Sequence, residues 1–189
     1  MSPNLVPSPL ANVLKAALFA ADRHRNQRRK GSRGAPYVNH PLAVAECLAT
    51  AGIEDPDILA AALLHDTVED TDTSLTELEE LFGPRVASIV AEVTDDKTLP
   101  KAERKRRQIA SAPTKSYEAK LVKLSDKLCN LRDLRDCPPD WSEDRINAYH
   151  RFARDVYLGL RGTHSALDSQ MDHVLGQHKQ AGDKLCTFD

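Results

Sequence analysis

The segment from Asp57 to Asp70, DILAAALLHDTVED, constrains the fold of this chain more than any other part of the sequence. Residues 58–64 are apolar on every side, which predicts a helix that is buried all round rather than one with a solvated face. No segment of the chain alternates convincingly at period two, and aromatic residues make up only 5% of the composition. Leu, Ala and Val supply most of the apolar residues, which favours helices over a sandwich or barrel. The sequence therefore predicts an all-α fold.

Start and stop signals divide the chain into a succession of helices. We expect helices over about residues 10–27, 41–50, 57–70, 75–82, 84–94, 101–111, 116–134 and 142–177, the last broken near Gly162. Pro41 suits the first turn of a helix, which makes His40 the expected N-cap. Ser74 and Glu77 have the spacing of a capping box, so they mark another helix start.

The length of 189 residues predicts one domain, since domains typically hold about 100–200 residues. We expect a flexible lead-in over residues 1–9, the folded domain over 10–178, and a disordered tail over 179–189. No apolar run approaches the roughly 20 residues of a membrane span, and the start MSPNLVPSPL lacks the basic and apolar parts of a signal peptide. The four cysteines include no C-x-x-C pair, so reduced thiols are expected. These features predict a cytoplasmic protein with no membrane partner.

The charge of the chain is unevenly distributed although the formal net charge is only −2. Six basic residues lie within residues 23–33 and five lie within residues 101–107. Two local basic clusters on a mildly acidic protein favour a small polyanionic ligand over a long nucleic acid. Two solvated helix faces would explain the same charge pattern equally well.

The end of the buried helix carries residues of the types that can bind metals. His65 and Asp66 follow Leu64 directly, and an unpaired buried carboxylate is costly, so Asp66 must be paired, hydrogen-bonded or bound to metal. Glu69 and Asp70 lie three and four residues beyond Asp66, on the same helical face. A divalent cation would relieve the repulsion between these carboxylates. The alternative is a helix that simply emerges into water after Leu64.

His40 and Asp126 are two further candidate ligands. A histidine at a helix N-terminus stays neutral because the helix dipole disfavours its cation, and a neutral imidazole can coordinate a metal. A structural role for His40 is the alternative. Asp126 lies opposite the leucine stripe of the helix expected at residues 116–134, where a polar face usually meets water. Periodicity does not show whether that face lines a cleft.

The order of these four residues resembles the HD superfamily of metal-dependent phosphohydrolases. Longer segments resemble the (p)ppGpp hydrolase domain of RelA/SpoT proteins: HRNQRRK, PYVNHP, HDTVEDT, EVTDDKTL and AKLVKLSDKL. The resemblance is strongest to stand-alone small alarmone hydrolases, a group that includes the metazoan SpoT homologue. It extends from about Leu10 to Gln177, and it implies a single HD-domain helical bundle.

The resemblance also implies roles for individual residues. The implied ligands of one Mn²⁺ ion are His40, His65, Asp66 and Asp126. Two imidazoles and two carboxylates suit a fairly hard, six-coordinate cation better than a thiolate-rich zinc site does. Glu69 and Asp70 match the acidic pair that handles the attacking water. The candidate substrate-binding residues are Arg28, Arg29, Lys30, Lys97, Lys101, Lys127, Asn130 and Arg145.

The implied reaction removes the 3′-pyrophosphate of (p)ppGpp, or of its adenine analogue (p)ppApp, and leaves GDP or GTP, or ADP or ATP. Removal of the 2′-phosphate of NADPH is an alternative reaction. A non-catalytic sensor that binds the alarmone is an alternative of another class. We expect a degenerate sensor to lose a metal ligand or one of the acidic pair, whereas this chain retains all six residues. The sequence leaves the base preference and the oligomeric state open.

Overall fold

The computed structural model describes residues 8–30, 34–136 and 138–185, with only the course of the helix for 178–185. Within these ranges the regular secondary structure is helical, apart from one isolated antiparallel bridge between Arg28 and Pro36. The prediction of an all-α fold is therefore confirmed. Among the described helices, none combines the length and apolar character that crossing a membrane requires. Residues 1–7 of the predicted lead-in and 186–189 of the predicted tail lie outside the described ranges.

The described residues form two compact units, the first of which contains residues 8–29 and 35–94. Its helices are α1 (Pro9–Arg23), α2 (Asn39–Thr50), α3 (Pro56–Leu64), α4 (Thr67–Asp70), α5 (Leu75–Phe82) and α6 (Pro84–Val93). Helix α3 packs against α1, α2 and α6. Six of its nine residues are buried, so the expectation of a helix covered on nearly every side is confirmed.

Two helix boundaries in the first unit differ from prediction. Helix α2 begins at Asn39 with Val38 as its N-cap, so the prediction that His40 is the N-cap is wrong. His40 lies instead inside the first turn. Helix α1 ends at Arg23, about four residues earlier than expected, and the Arg23 guanidinium forms a hydrogen bond with Glu77 of α5. The Ser74 cap of α5 is confirmed, because its side chain accepts a hydrogen bond from the amide of Glu77.

The helix expected over residues 57–70 is interrupted at His65 and Asp66. Near the end of α3, the carbonyl of Ala62 accepts a hydrogen bond from His65 Nδ1 at 2.7 Å, and the carbonyl of Leu64 accepts one from Thr67 Oγ1 at 2.7 Å. Side chains that bond to nearby backbone groups compete with the helical ladder. The break therefore follows from side-chain donors taking the last carbonyls of α3.

The second unit contains Lys30, Gly34 and residues 95–185. Its helices are α7 (Lys101–Ser111), α8 (Tyr117–Asp136), α9 (Glu143–Leu160) and α10 (Ser165–Leu185), with a 3-10 turn at Ala112–Thr114. Helix α9 packs against α7, α8 and the 3-10 turn. A Cβ atom on Gly159 would lie 2.8 Å from Cβ of Ala112, so glycine permits this close approach. Helix α10 continues to Leu185, into the segment predicted as a tail.

Candidate functional site

His40, His65 and Asp66 converge at one buried corner of the first unit. His40 lies in the first turn of α2, while His65 and Asp66 occupy the break between α3 and α4. The Oδ2 atom of Asp66 is 3.1 Å from His65 Nε2 and 3.9 Å from His40 Nε2. The two imidazole side chains are only 4% and 1% exposed. Three of the four predicted ligands therefore present their donor atoms to one another.

The hydrogen bond from His65 to α3 fixes which nitrogen faces Asp66. Because the carbonyl of Ala62 only accepts, His65 Nδ1 carries the proton of that 2.7 Å bond. In the neutral ring, Nε2 then presents a lone pair to the carboxylate oxygen 3.1 Å away. Two acceptors at this distance repel each other unless the ring takes a second proton or a cation lies between them. An imidazole nitrogen and a carboxylate oxygen in this arrangement fit a divalent cation.

Tyr37, which lies in the PYVNHP segment but was not among the predicted site residues, holds Asp66 from the side of α2. Its hydroxyl donates a 2.6 Å hydrogen bond to Asp66 Oδ2. Burial and then the charge of Asp66 raise the pKa of Tyr37, so the hydroxyl remains a donor. Its ring centre lies 4.8 Å from that of His24, with the planes tilted by 37°, and it meets His40 edge-on at 6.1 Å. Tyr37 occurs three residues before His40, but a single tyrosine there has no periodicity that would distinguish it.

Two backbone hydrogen bonds between residues 27–29 and 35–37, called the ladder below, position Tyr37 and Arg29. The amide of Tyr37 donates to the carbonyl of Gln27 at 3.0 Å, and the amide of Arg29 donates to the carbonyl of Ala35 at 2.9 Å. The guanidinium of Arg29 lies 5.6 Å from the centre of the Tyr37 ring. Arg28 instead donates to two backbone carbonyls of the preceding turn, each at 2.9 Å. Of these two predicted arginines, only Arg29 is thus placed beside Tyr37.

Helix α4 carries the predicted acidic pair, Glu69 and Asp70, both half-buried. The amide of Asp70 donates to the carbonyl of Asp66 at 2.9 Å, so one helical turn still connects them across the break. The side chain of Gln27 donates to Asp70 Oδ2 at 3.3 Å. After burial and Asp66, the charge of Asp70 also contributes to the raised pKa of Tyr37. The Asp70 carboxylate therefore lies within electrostatic reach of the Tyr37 hydroxyl.

In the second unit, helix α8 carries Asp126 on a buried polar face. Residues 121–129 are all buried, so the helix is covered on this face as well as along its leucine stripe. The solvated-face alternative for Asp126 is therefore wrong. Its Oδ2 lies 3.1 Å from Lys127 Nζ, and its Oδ1 accepts a 2.5 Å hydrogen bond from Asn130. Because a buried charge is costly unless paired, these contacts indicate an ionised carboxylate held in place.

Lys127 links Asp126 to an aromatic residue of α9. Burial lowers the pKa of Lys127, but the charge of Asp126 and further anionic groups outweigh burial, and the pKa lies above its ordinary value. The ammonium lies 5.2 Å from the centre of the Phe152 ring. The ammonium of Lys105 lies 4.6 Å from the centre of the same ring. Both ammonium groups therefore lie within cation–π distance of the Phe152 ring.

Four cations of the second unit influence one another in this region. Burial and then the charges of Lys101, Lys127 and Arg145 lower the pKa of Lys105. The guanidinium of Arg145 stacks 4.1 Å from the centre of the Trp141 ring. Three of these cations, Lys101, Lys127 and Arg145, were predicted as substrate-binding residues. Lys105 was not predicted, because a run of basic residues does not show which of its side chains come together in the fold. The remaining predicted substrate-binding residues of this unit with charged side chains are exposed: Lys30 and Lys97.

Comparisons with known proteins identify the family of this chain. The family model of the HD domain matches residues 16–164. The chain is 56% identical over 172 residues to the human guanosine-3′,5′-bis(diphosphate) 3′-pyrophosphohydrolase MESH1, covering 90% of this chain and 96% of that protein. The protein of the same name from Xenopus tropicalis is also 56% identical, over 169 residues that cover 88% of this chain and 94% of the relative.

A solved structure has a TM-score of 0.87 at 48% sequence identity and covers 91% of this chain and 97% of its own. It is described as a metazoan ortholog of SpoT that hydrolyses ppGpp and plays a role in starvation responses. The family match spans most of the chain, and the relatives are matched over nearly their full length. This chain belongs to the HD domain family and, within it, to the MESH1 group of guanosine-3′,5′-bis(diphosphate) 3′-pyrophosphohydrolases.

Proposed function

We propose that this chain is a metal-dependent enzyme that removes pyrophosphate from the 3′-position of guanosine-3′,5′-bis(diphosphate). Water adds to the phosphorus next to the ribose, the bond from that phosphorus to O3′ breaks, and O3′ takes a proton, which yields GDP and pyrophosphate. The observation that carries the proposal is the buried corner where Asp66 meets two imidazoles and the Tyr37 hydroxyl. The 56% identity to MESH1 proteins supports this reaction among those that an HD domain could perform.

We propose that one Mn²⁺ ion is held by His40, His65, Asp66 and Asp126. The lone pair of His65 Nε2 faces the Asp66 carboxylate, and this pair of donors suits a cation. Asp126 is included because it is a buried, ionised carboxylate at the position that the family resemblance assigns to a ligand. When bound, the cation would supply a Lewis acid for the phosphoryl oxygens and an acidified water.

Glu69 and Asp70 are proposed to orient the attacking water and to accept its proton. Both carboxylates are half-buried on α4, and Asp70 follows Asp66 by one helical turn. A general base within hydrogen-bond reach of the water typically contributes about 10²–10⁴-fold to the rate. The hydrogen bond from Gln27 to Asp70 supports this role, because it limits the rotation of the carboxylate.

The phosphates of the substrate are proposed to bind the basic side chains of the two units. Arg29 supports this role because it lies beside Tyr37, and Lys127 remains charged although it is buried. Arg145 is supported on Trp141, which leaves its planar guanidinium preorganised for a phosphate. Asn130 is held by Asp126 and is retained as a candidate substrate contact.

We further propose that the enzyme acts in the cytoplasm on this small nucleotide, without a nucleic acid or membrane partner. Cys47 and Cys129 are buried thiols, which fits a reducing compartment. The proposal extends to the same reaction on the adenine analogue ppApp, and the experiment below offers both nucleotides with and without Mn²⁺.

The test uses purified chain stripped of metal, with and without added Mn²⁺, and offers ppGpp, ppApp and NADPH in parallel. We expect Mn²⁺ to restore conversion of ppGpp to GDP and pyrophosphate, measured by ion-exchange separation of the products. The Asp70→Asn variant should lower this turnover by at least roughly 10²-fold. Asp72→Asn is its matched control, since Asp72 is exposed and pairs with Arg23 at the surface. The proposed reaction would be contradicted if NADPH were the only one of the three compounds to be hydrolysed, or if ppGpp were bound without turnover.

A further inference from the structure

We infer that Gln27 is a positioning residue for Asp70 and that the buried His24 fixes the orientation of the Gln27 amide. This inference rests on the proposed function, in which Asp70 handles the attacking water. Neither Gln27 nor His24 is among the residues assigned to the metal, the water or the phosphates. His24 directly follows α1, and Gln27 belongs to the backbone ladder that carries Tyr37.

The donor and the acceptor of each side-chain hydrogen bond around Gln27 follow from the chemistry of its partners. A carboxylate only accepts, so the Gln27 amide nitrogen is the group that lies 3.3 Å from Asp70 Oδ2. The Gln27 amide oxygen then faces His24, whose Nδ1 lies 2.5 Å away and must donate. A proton on His24 Nδ1 therefore orients the amide, and the amide in turn donates to Asp70.

The burial of His24 supports this assignment. His24 is 2% exposed, and its Nε2 is buried without a hydrogen-bond partner among the described residues. A neutral ring with its proton on Nδ1 satisfies its only N–H through Gln27 and leaves Nε2 as an acceptor. A proton on Nε2 would instead be an unsatisfied buried donor, which is costly.

The backbone of Gln27 also forms hydrogen bonds on both sides. The amide of Gln27 donates to the carbonyl of His24 at 2.9 Å, and its carbonyl accepts from the amide of Tyr37 at 3.0 Å. The rings of His24 and Tyr37 are in tilted contact, with their centres 4.8 Å apart. The backbone hydrogen bond between Gln27 and Tyr37 therefore joins the residue that contacts Asp70 to the residue that contacts Asp66.

The consequence for catalysis is orientation of the carboxylate. Displacement of a reacting group by about 1 Å costs about 10²-fold in rate, and Asp70 without Gln27 would lose a donor that restricts its rotation. We therefore expect Gln27→Leu to lower kcat by roughly 10–100-fold while KM for ppGpp and the Kd for Mn²⁺ change by less than about threefold. The matched control is Asn26→Leu, an exposed neighbour in the same turn.

Two variants of His24 separate the hydrogen bond from the packing. His24→Phe keeps a ring against Tyr37 but removes the Nδ1 donor, whereas His24→Asn keeps a donor near the Nδ1 position and removes the ring. A purely structural role predicts that the phenylalanine variant is the more stable and the more active. Our inference predicts the opposite order for kcat, whatever the order of their melting temperatures.

A readout independent of turnover keeps this inference distinct from the proposed function. In ¹H–¹⁵N NMR of the whole chain, we expect a slowly exchanging Nδ1–H signal from His24 that is lost in Gln27→Leu and kept in Asn26→Leu. Absence of this signal in the wild-type chain, wild-type kcat in Gln27→Leu, or a faster His24→Phe than His24→Asn would overturn the inference. A wild-type chain that shows the NMR signal but does not hydrolyse ppGpp would instead refute the proposed function.

Discussion

Replacement of Tyr37 by phenylalanine removes one oxygen atom and isolates the hydrogen bond that holds Asp66. The ring contacts with His24 at 4.8 Å and with His40 at 6.1 Å do not depend on the hydroxyl, so the packing should survive. The lost bond is short, at 2.6 Å, and its acceptor is a carboxylate. We expect Tyr37→Phe to fold and to bind Mn²⁺ more weakly.

The magnitude follows from the type of hydrogen bond. A bond to a charged group contributes about 1.5–3 kcal/mol, and each 1.4 kcal/mol corresponds to about tenfold in an equilibrium constant. The Asp66 side chain is 20% exposed, so water replaces part of the lost bond and the lower half of that range applies. We therefore expect Mn²⁺ to bind about 10–40-fold more weakly, within the roughly 10–100-fold range typical of residues that orient a metal ligand.

The metal-stripped protein is titrated with Mn²⁺, and the electron paramagnetic resonance signal of the unbound ion measures how much Mn²⁺ has bound. The control is Tyr117→Phe, because Tyr117 is 52% exposed. Turnover at saturating Mn²⁺ should fall less than the affinity does, since Tyr37 is bonded to a proposed ligand. An affinity within twofold of wild type would refute the reasoning, and a lower melting temperature with unchanged affinity would assign Tyr37 a structural role only.

Three further predictions test other parts of the chain. Glu69→Gln and Asp70→Asn should still bind Mn²⁺ and lose at least roughly 10²-fold in single-turnover rate; a rate near wild type would remove that residue from the water-handling role. Arg29→Gln should raise KM more than it lowers kcat and weaken the salt dependence of KM. An unchanged KM would mean that Arg29 does not bind the substrate. The hydrogen bond from Arg85 lowers the pKa of Asp55, the N-cap of α3, so its ionised form stabilises the fold above the ordinary pKa of 3.8. This contribution is lost as the pH falls through the lowered pKa. Asp55→Asn should therefore be destabilised at neutral pH and approach wild type below that range, as measured by denaturant unfolding across pH; a constant difference would contradict the ion-pair explanation.

Local sequence signals determined most helix boundaries. Ser74 caps α5 because its side chain reaches an amide three residues ahead, and this bond requires no other part of the chain. The glycine between α5 and α6 adopts a φ of 91°, and the following proline starts α6, which are both short-range effects. The burial of α3 could be predicted because apolar residues on every side leave no other stable arrangement. The family resemblance identified the candidate ligands and the acidic pair.

Tertiary structure alone decided how those residues are held. Periodicity reports which face of a helix is apolar, so it predicted the leucine stripe of α8 but gave no sign that the opposite face, with Asp126, is buried too. Tyr37 meets Asp66 across 29 residues of chain, and Gln27 meets Asp70 across 43. Hydrogen bonds between such distant residues exist only after α1, α2 and α3 have packed, because no local pattern encodes which polar side chains the packing brings within reach.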